Sequence, residues 1–139
     1  MNVKFIIAGF VGFIISMGAG MLFHGGVLNG DYKALGSMMR SDADAMGYLP
    51  FMIASHLIKG FAFAWVYQQG VSGGSWLTQG LRYGIAMALL ITVPLYLVYY
   101  AVQPMPGMLV AKQIVFDTIG TLLMAAVVAF ILKPGASRA

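Results

Sequence analysis

Four stretches of this chain are long and apolar enough to leave water, and they dictate most of what it can fold into. A helix crossing the hydrocarbon core of a bilayer needs about 20 mostly apolar residues. "FIIAGFVGFIISMGAGMLF" (5–23), "YLPFMIASHLIKGFAFAWVYQ" (48–68), residues 79–101 and residues 109–132 each meet that requirement. The segments between them are rich in glycine, proline and polar residues, the composition of turns and loops. With 60% hydrophobic and 9% charged residues, the chain departs far from a soluble domain, which averages about 25% charged. A small water-soluble fold leaves too much surface exposed to hide that apolar excess. The expected fold class is an all-α membrane protein: one integral domain over residues 1–139, built as a four-transmembrane-helix bundle.

The first stretch also imitates a cleaved signal peptide, with Lys4 before an apolar run and "GAG" within it. That run exceeds the 7–15 residues of a signal core, and no A-x-A-like site follows, so it is read as a span. An even number of spans leaves both termini on one side. Lys4, Arg82, Lys133 and Arg138 then share that side, against Lys33, Arg40 and Lys112 with Asp31, Asp42 and Asp44 on the other. The Lys/Arg excess makes both termini cytoplasmic. Tyr48, Trp65, Tyr67, Trp76, Tyr99 and Tyr100 fall near span ends, where amphipathic rings settle. The net charge of +4 comes from scattered residues rather than a basic run, which argues for topology charges and against a nucleic-acid partner. The absence of cysteine excludes disulfides and thiol chemistry.

Lipid tails are as apolar as leucine, so membrane helices associate through close packing of small residues and a few polar contacts. Residues four apart share a helix face. On the first span that stripe is Ala8, Gly12, Ser16 and Gly20, ending at His24; on the second it is His56, Gly60, Ala64 and Gln68. The third offers Gly80, Gly84, Ala88 and Thr92, running on to Tyr96 and Tyr100, and the fourth offers Asp117, Thr121, Ala125 and Ala129. Gly12, Ser16, Gly20, Gly60, Gly80 and Gly84 are the expected helix-packing positions. Pro94 removes a backbone hydrogen bond from the third span and is expected to kink it.

"MIASHLIKGF" (52–61) places His56 and Lys59 three residues apart inside an apolar span. A charge at bilayer depth costs about 2.5–3.5 kcal/mol on insertion scales, and such residues face the protein interior and mark a path or a site. The second and fourth spans run the same way. His56 is eight residues past Tyr48 and Asp117 eight past Leu109, so both lie about 12 Å from the outer boundary. Tyr96 approaches the same level. Asp117 is therefore the expected partner of Lys59 or proton acceptor for His56. His56, Lys59, Asp117 and Tyr96 form the expected intramembrane polar cluster for a ligand or proton, with His24 and Tyr100 as additional members. The competing reading is purely structural: an ion pair and an interhelical hydrogen bond that fix helix register.

No metal site is expected. His24 and His56 do not read as haem ligands, because His24 sits at a span boundary, and "DADA" (42–45) supplies two aspartates in a polar loop. "HGG" (24–26) has no G-x-S-x-G partner, and "VSGGS" (71–75) lacks the Lys-Ser/Thr of a phosphate loop. "YKALGSMMR" (32–40) can form a short amphipathic surface helix.

The glycine-rich first span, the polar first loop with "GDYKAL" and the last span with "FDTIG" resemble small bacterial four-span inner-membrane proteins of unknown function. The resemblance implies a multi-pass protein of the bacterial inner membrane and no particular activity. Taken together, the expectation is a non-enzymatic protein without a cofactor, surrounded by the lipid bilayer, acting as a homo-oligomer or within a larger membrane complex. Its first reading is an accessory or assembly subunit whose polar cluster fixes helix register. The alternative is a small proton-linked transporter or channel working as an oligomer, with His56, Lys59 and Asp117 along its path. A membrane-embedded enzyme or lipid-binding protein using an outward-half cavity is a third.

Overall fold

The computed structural model describes residues 2–133, and all regular structure in that range is helical. Four helices are long and apolar enough to cross a membrane: α1 (Val3–Val27), α4 (Leu49–Gln69), α5 (Trp76–Val102) and α6 (Gly107–Leu132). They make the chain a multi-pass membrane protein. Two short helices, α2 (Asn29–Lys33) and α3 (Asp42–Met46), lie between α1 and α4. The long helices cover the four apolar stretches because a backbone in hydrocarbon must satisfy its own N–H and C=O groups. Asn2 caps α1 by accepting the Lys4 N–H at 3.1 Å, and Ser41 caps α3 through the Asp44 N–H at 3.2 Å. Pro50 sits in the first turn of α4, where its missing N–H costs nothing.

The 32–40 stretch does not form the single amphipathic helix expected of it. α2 ends at Lys33, a 3₁₀ turn covers Gly36–Met38, and Gly36 takes a positive φ of 56° that breaks the helical path. Two of the long helices contain a widened, π-helical turn. In α5 it spans Ala88–Thr92, directly before Pro94, so the bond that proline cannot donate is absorbed by a local change of winding. In α1 it spans Met21–Val27, and the Leu28 N–H reaches back five residues to the Phe23 carbonyl at 2.8 Å. Leu28, just past that turn, is completely buried.

α1 packs on α4 and α6, and α5 packs on α6. The α1/α4 contact is made by backbone. A Cβ on Gly60 would lie 2.5 Å from the Gly9 carbonyl oxygen and from the Phe13 nitrogen, and one on Gly12 would lie 3.3 Å from Gly60 Cα. The α5/α6 contact has the same character. A Cβ on Gly80 or Gly84 would come within 2.9 Å of Ala129 or Ala125 respectively. The buried core is correspondingly small-sided, with Ala8, Ala64, Ala125, Ala129 and Val128 fully buried beside Phe63, Tyr67 and Met124. Tyr83 ties α5 to α4 by donating its hydroxyl to the Phe63 carbonyl at 2.7 Å, with its ring edge-on to Phe63 and Tyr67. Large apolar side chains such as Phe10, Ile14, Phe51, Ile58, Leu89 and Leu90 point outward. Such a belt suits lipid and would be unusual on a water-exposed monomer.

Candidate functional site

The stripes that seal the helices at one end turn polar toward the other. On α1 the sequence Ala8, Gly12, Ser16, Gly20 leads to His24, and on α6 Asp117 precedes Thr121, Ala125 and Ala129. Where the small residues stop, the helices separate around a cavity of about 640 Å³. His24, His56, Lys59, Tyr96 and Asp117 all line it, together with methionines 17, 21, 52 and 124. The volume falls in the range of small-molecule sites, about 300–1,000 Å³.

Asp117 is the hub of the hydrogen bonding, and its partners differ from those expected. Its Oδ1 lies 2.9 Å from His24 Nε2, and its Oδ2 accepts the Tyr96 hydroxyl at 2.5 Å. His56 points to α1 instead, with Nδ1 2.5 Å from Ser16 Oγ. Lys59 forms no ion pair among the described residues. The expected Lys59–Asp117 pair is thus replaced by His24–Asp117. The cause lies in α1: the helix runs on to Val27 through its widened turn, so His24 stands on a helix beside α6 rather than at a span boundary. Proximity of depth had selected Lys59, but depth says nothing about rotation around the helix axis. Tyr100 is not part of the site; it is half exposed and its hydroxyl faces Gly107. The boundary argument against paired histidines also falls, since both line one cavity, but both ring nitrogens of His24 are already engaged.

The second engagement of His24 reaches the surface segment. Its Nδ1 lies 2.6 Å from the Tyr32 hydroxyl, which also accepts from Gln113 Nε2 at 2.8 Å. Asp31 beside it receives Lys112 Nζ at 2.9 Å, so α2 is strapped onto the start of α6. An unbroken chain Gln113–Tyr32–His24–Asp117–Tyr96 results. It can be completed in two protonation states. With a neutral imidazole, Tyr32 donates to Nδ1 and Nε2–H donates to Asp117. With an imidazolium, Nδ1–H donates to Tyr32, whose proton turns toward Gln113; a rotated amide then presents Oε1 to receive it. In the present arrangement Gln113 Oε1 is buried without a partner among the described residues, so the rotation breaks no bond at that oxygen. Burial pushes the Tyr32 phenol above its ordinary value; the bond from Gln113 opposes this, and the Asp117 and Asp31 carboxylates reinforce it. Tyr32 therefore passes hydrogen bonds as a neutral hydroxyl.

Sequence reasoning has no means of finding Tyr32, because α2 falls in a stretch that reads as the loop between the first two spans. Gln113 carried a signal, since it lies one turn before Asp117 on the same face of α6. Comparison with protein-family models, with curated proteins and with solved structures gave no match to this chain.

Proposed function

We propose that the chain is a non-enzymatic protein of the bacterial inner membrane, a four-helix bundle with both termini cytoplasmic, that binds a small ligand in its outward-half cavity and exchanges a proton through the His24–Asp117 pair. The observation that carries this reading is the convergence of three basic side chains, one carboxylate and a tyrosine on a cavity of about 640 Å³. A cluster serving only to fix helix register would consume its polar groups in pairs and leave no such space. The chain Gln113–Tyr32–His24–Asp117 supplies the proton exchange, because it is complete in both protonation states and runs from the α2 cap to the cavity. Among the sequence expectations this supports the proton-linked reading over the accessory subunit. The ligand-filled bundle acts as a homo-oligomer or within a larger complex, since four helices alone enclose no full path across a bilayer.

The cysteine-free chain allows a direct test. Ser55 lines the cavity, whereas Ile58 faces outward on the same helix. In membrane vesicles of known sidedness, Ser55→Cys should react with an impermeant thiosulfonate added from the periplasmic face, and Ile58→Cys should not. Equal protection of both cysteines would remove the cavity as a ligand compartment. Reaction of Ser55→Cys from the cytoplasmic face alone would reverse the orientation.

A further inference from the structure

The main cavity does not end at the polar cluster. A second chamber of about 260 Å³ lies between α4 and α5, lined by Ala62, Phe63, Val66, Met87 and Ile91, and it shares Lys59 and Thr121 with the first. Lys59 sits midway along α4, at the junction. The outer chamber carries the polar cluster among methionine, leucine and glycine, the deeper one is almost wholly apolar, and Lys59 stands between them.

The balance of groups decides what sign of charge can bind. Asp117 is the one carboxylate on the cavity, and both its oxygens are taken, by His24 and by Tyr96. It has little left to offer a cation. Lys59 keeps all its donors free of protein carboxylates among the described residues, and His56 has a ring nitrogen beyond the one facing Ser16. An anionic headgroup therefore finds free donors, and a cationic one finds only a carboxylate already shared by His24 and Tyr96. A fully water-soluble anion would use the outer chamber and leave the inner one without a role. The inner chamber is less than half the volume of the outer, which suits one acyl chain beside Phe63 rather than two. α4 and α5 are joined there mainly through Tyr83 against Phe63 and Tyr67, deeper in the protein, so a tail entering from the lipid passes between helices that are not sealed by glycine contact.

We infer that the two chambers form one site for a single-chain amphiphile with a monoanionic headgroup, the headgroup held at Lys59 and His56 and the tail lying against Phe63, Val66, Met87 and Ile91. This rests on the cavity reading above and names its ligand class.

The test uses the whole protein in nanodiscs and dodecanoate carrying a photoactivatable diazirine at its far end. Irradiation should label residues in 62–66 or 87–92 saturably, and unlabelled dodecanoate should compete where dodecanol and acetate do not. Lys59→Met should lower labelling at a fixed probe concentration about tenfold, the scale of one lost charged contact, and Lys59→Arg should restore most of it. Ser55→Cys reactivity, measured in the Lys59→Met background, shows whether the cavity persists in that variant. Labelling unchanged by Lys59→Met, equal competition by dodecanol, or adducts confined to outward residues such as Ile58 would overturn the amphiphile. Saturable competition by acetate alone would also overturn it, in favour of a soluble anion. A reactive Ser55→Cys with no saturable labelling sinks the ligand class and leaves the cavity standing; an unreactive Ser55→Cys sinks both.

Discussion

The half of the four helices nearest Asn2 and Lys133 and the half nearest the α1–α4 connection obey one spacing rule and reach opposite results. In the first, the four-residue stripes are glycine and alanine, backbones touch, and Ala8, Ala64, Ala125 and Ala129 have no exposed surface. In the second, the same stripes carry Ser16, His24, His56, Tyr96 and Asp117, and the helices part around a cavity. A polar residue four positions along from a glycine still faces the neighbouring helix, but its size prevents backbone contact. The pattern that builds the seal thus becomes the wall of the site, with no change of register needed.

The sharpest way to break this contrast is to put volume into the seal. Gly60→Ala drives a Cβ into the Gly9 carbonyl and the Phe13 nitrogen, both backbone, so neither can rotate away. A cost of about 1–3 kcal/mol is expected, and more for Gly60→Leu. Gly18→Ala meets nothing within 4 Å and should leave the melting temperature unchanged. If detergent-solubilised Gly60→Ala melts with the parent, the close-packed half is not what holds the helices together.

Next in size is the carboxylate hub. Asp117→Asn and His24→Gln should each destabilise, and their double-mutant cycle should return a coupling of about 1.5–3 kcal/mol, the range of hydrogen bonds to a charged group. The cycle between Asp117→Asn and Lys59→Met should return a smaller coupling, since the two share the cavity but form no ion pair. The reverse ranking would restore the pairing that depth alone suggested and reject the His24–Asp117 geometry.

The smallest effect concerns the cap. Tyr32→Phe deprives Gln113 and His24 of a shared partner and should cost about 1 kcal/mol. It should also change the alkaline limb of stability. The Tyr32 phenol is raised above 10.0 in the folded chain, so the stability it contributes is fully present below its unfolded value and is lost as pH rises through the folded one. Thermal unfolding of the parent should weaken above about pH 10 by more than that of Tyr32→Phe. Identical alkaline profiles would place Tyr32 in water rather than under the cap.

Sequence alone determined that the chain is all helical with four membrane-length helices, because hydrocarbon leaves a chain of this composition no other way to satisfy its backbone. It also marked which face of each helix is small-sided, since four-residue spacing is a property of the helix itself. That His56 and Asp117 reach one cavity was legible through the fixed rise per residue. Which polar groups actually meet was decided only by tertiary structure. His24 reaches Asp117 because a widened turn extends α1, Tyr32 reaches His24 because α2 folds back over α6, and Lys59 is left facing the junction of two chambers. Rise along an axis is local and can be counted from residues. Rotation about that axis, and the return of a loop, depend on what the neighbouring helices allow.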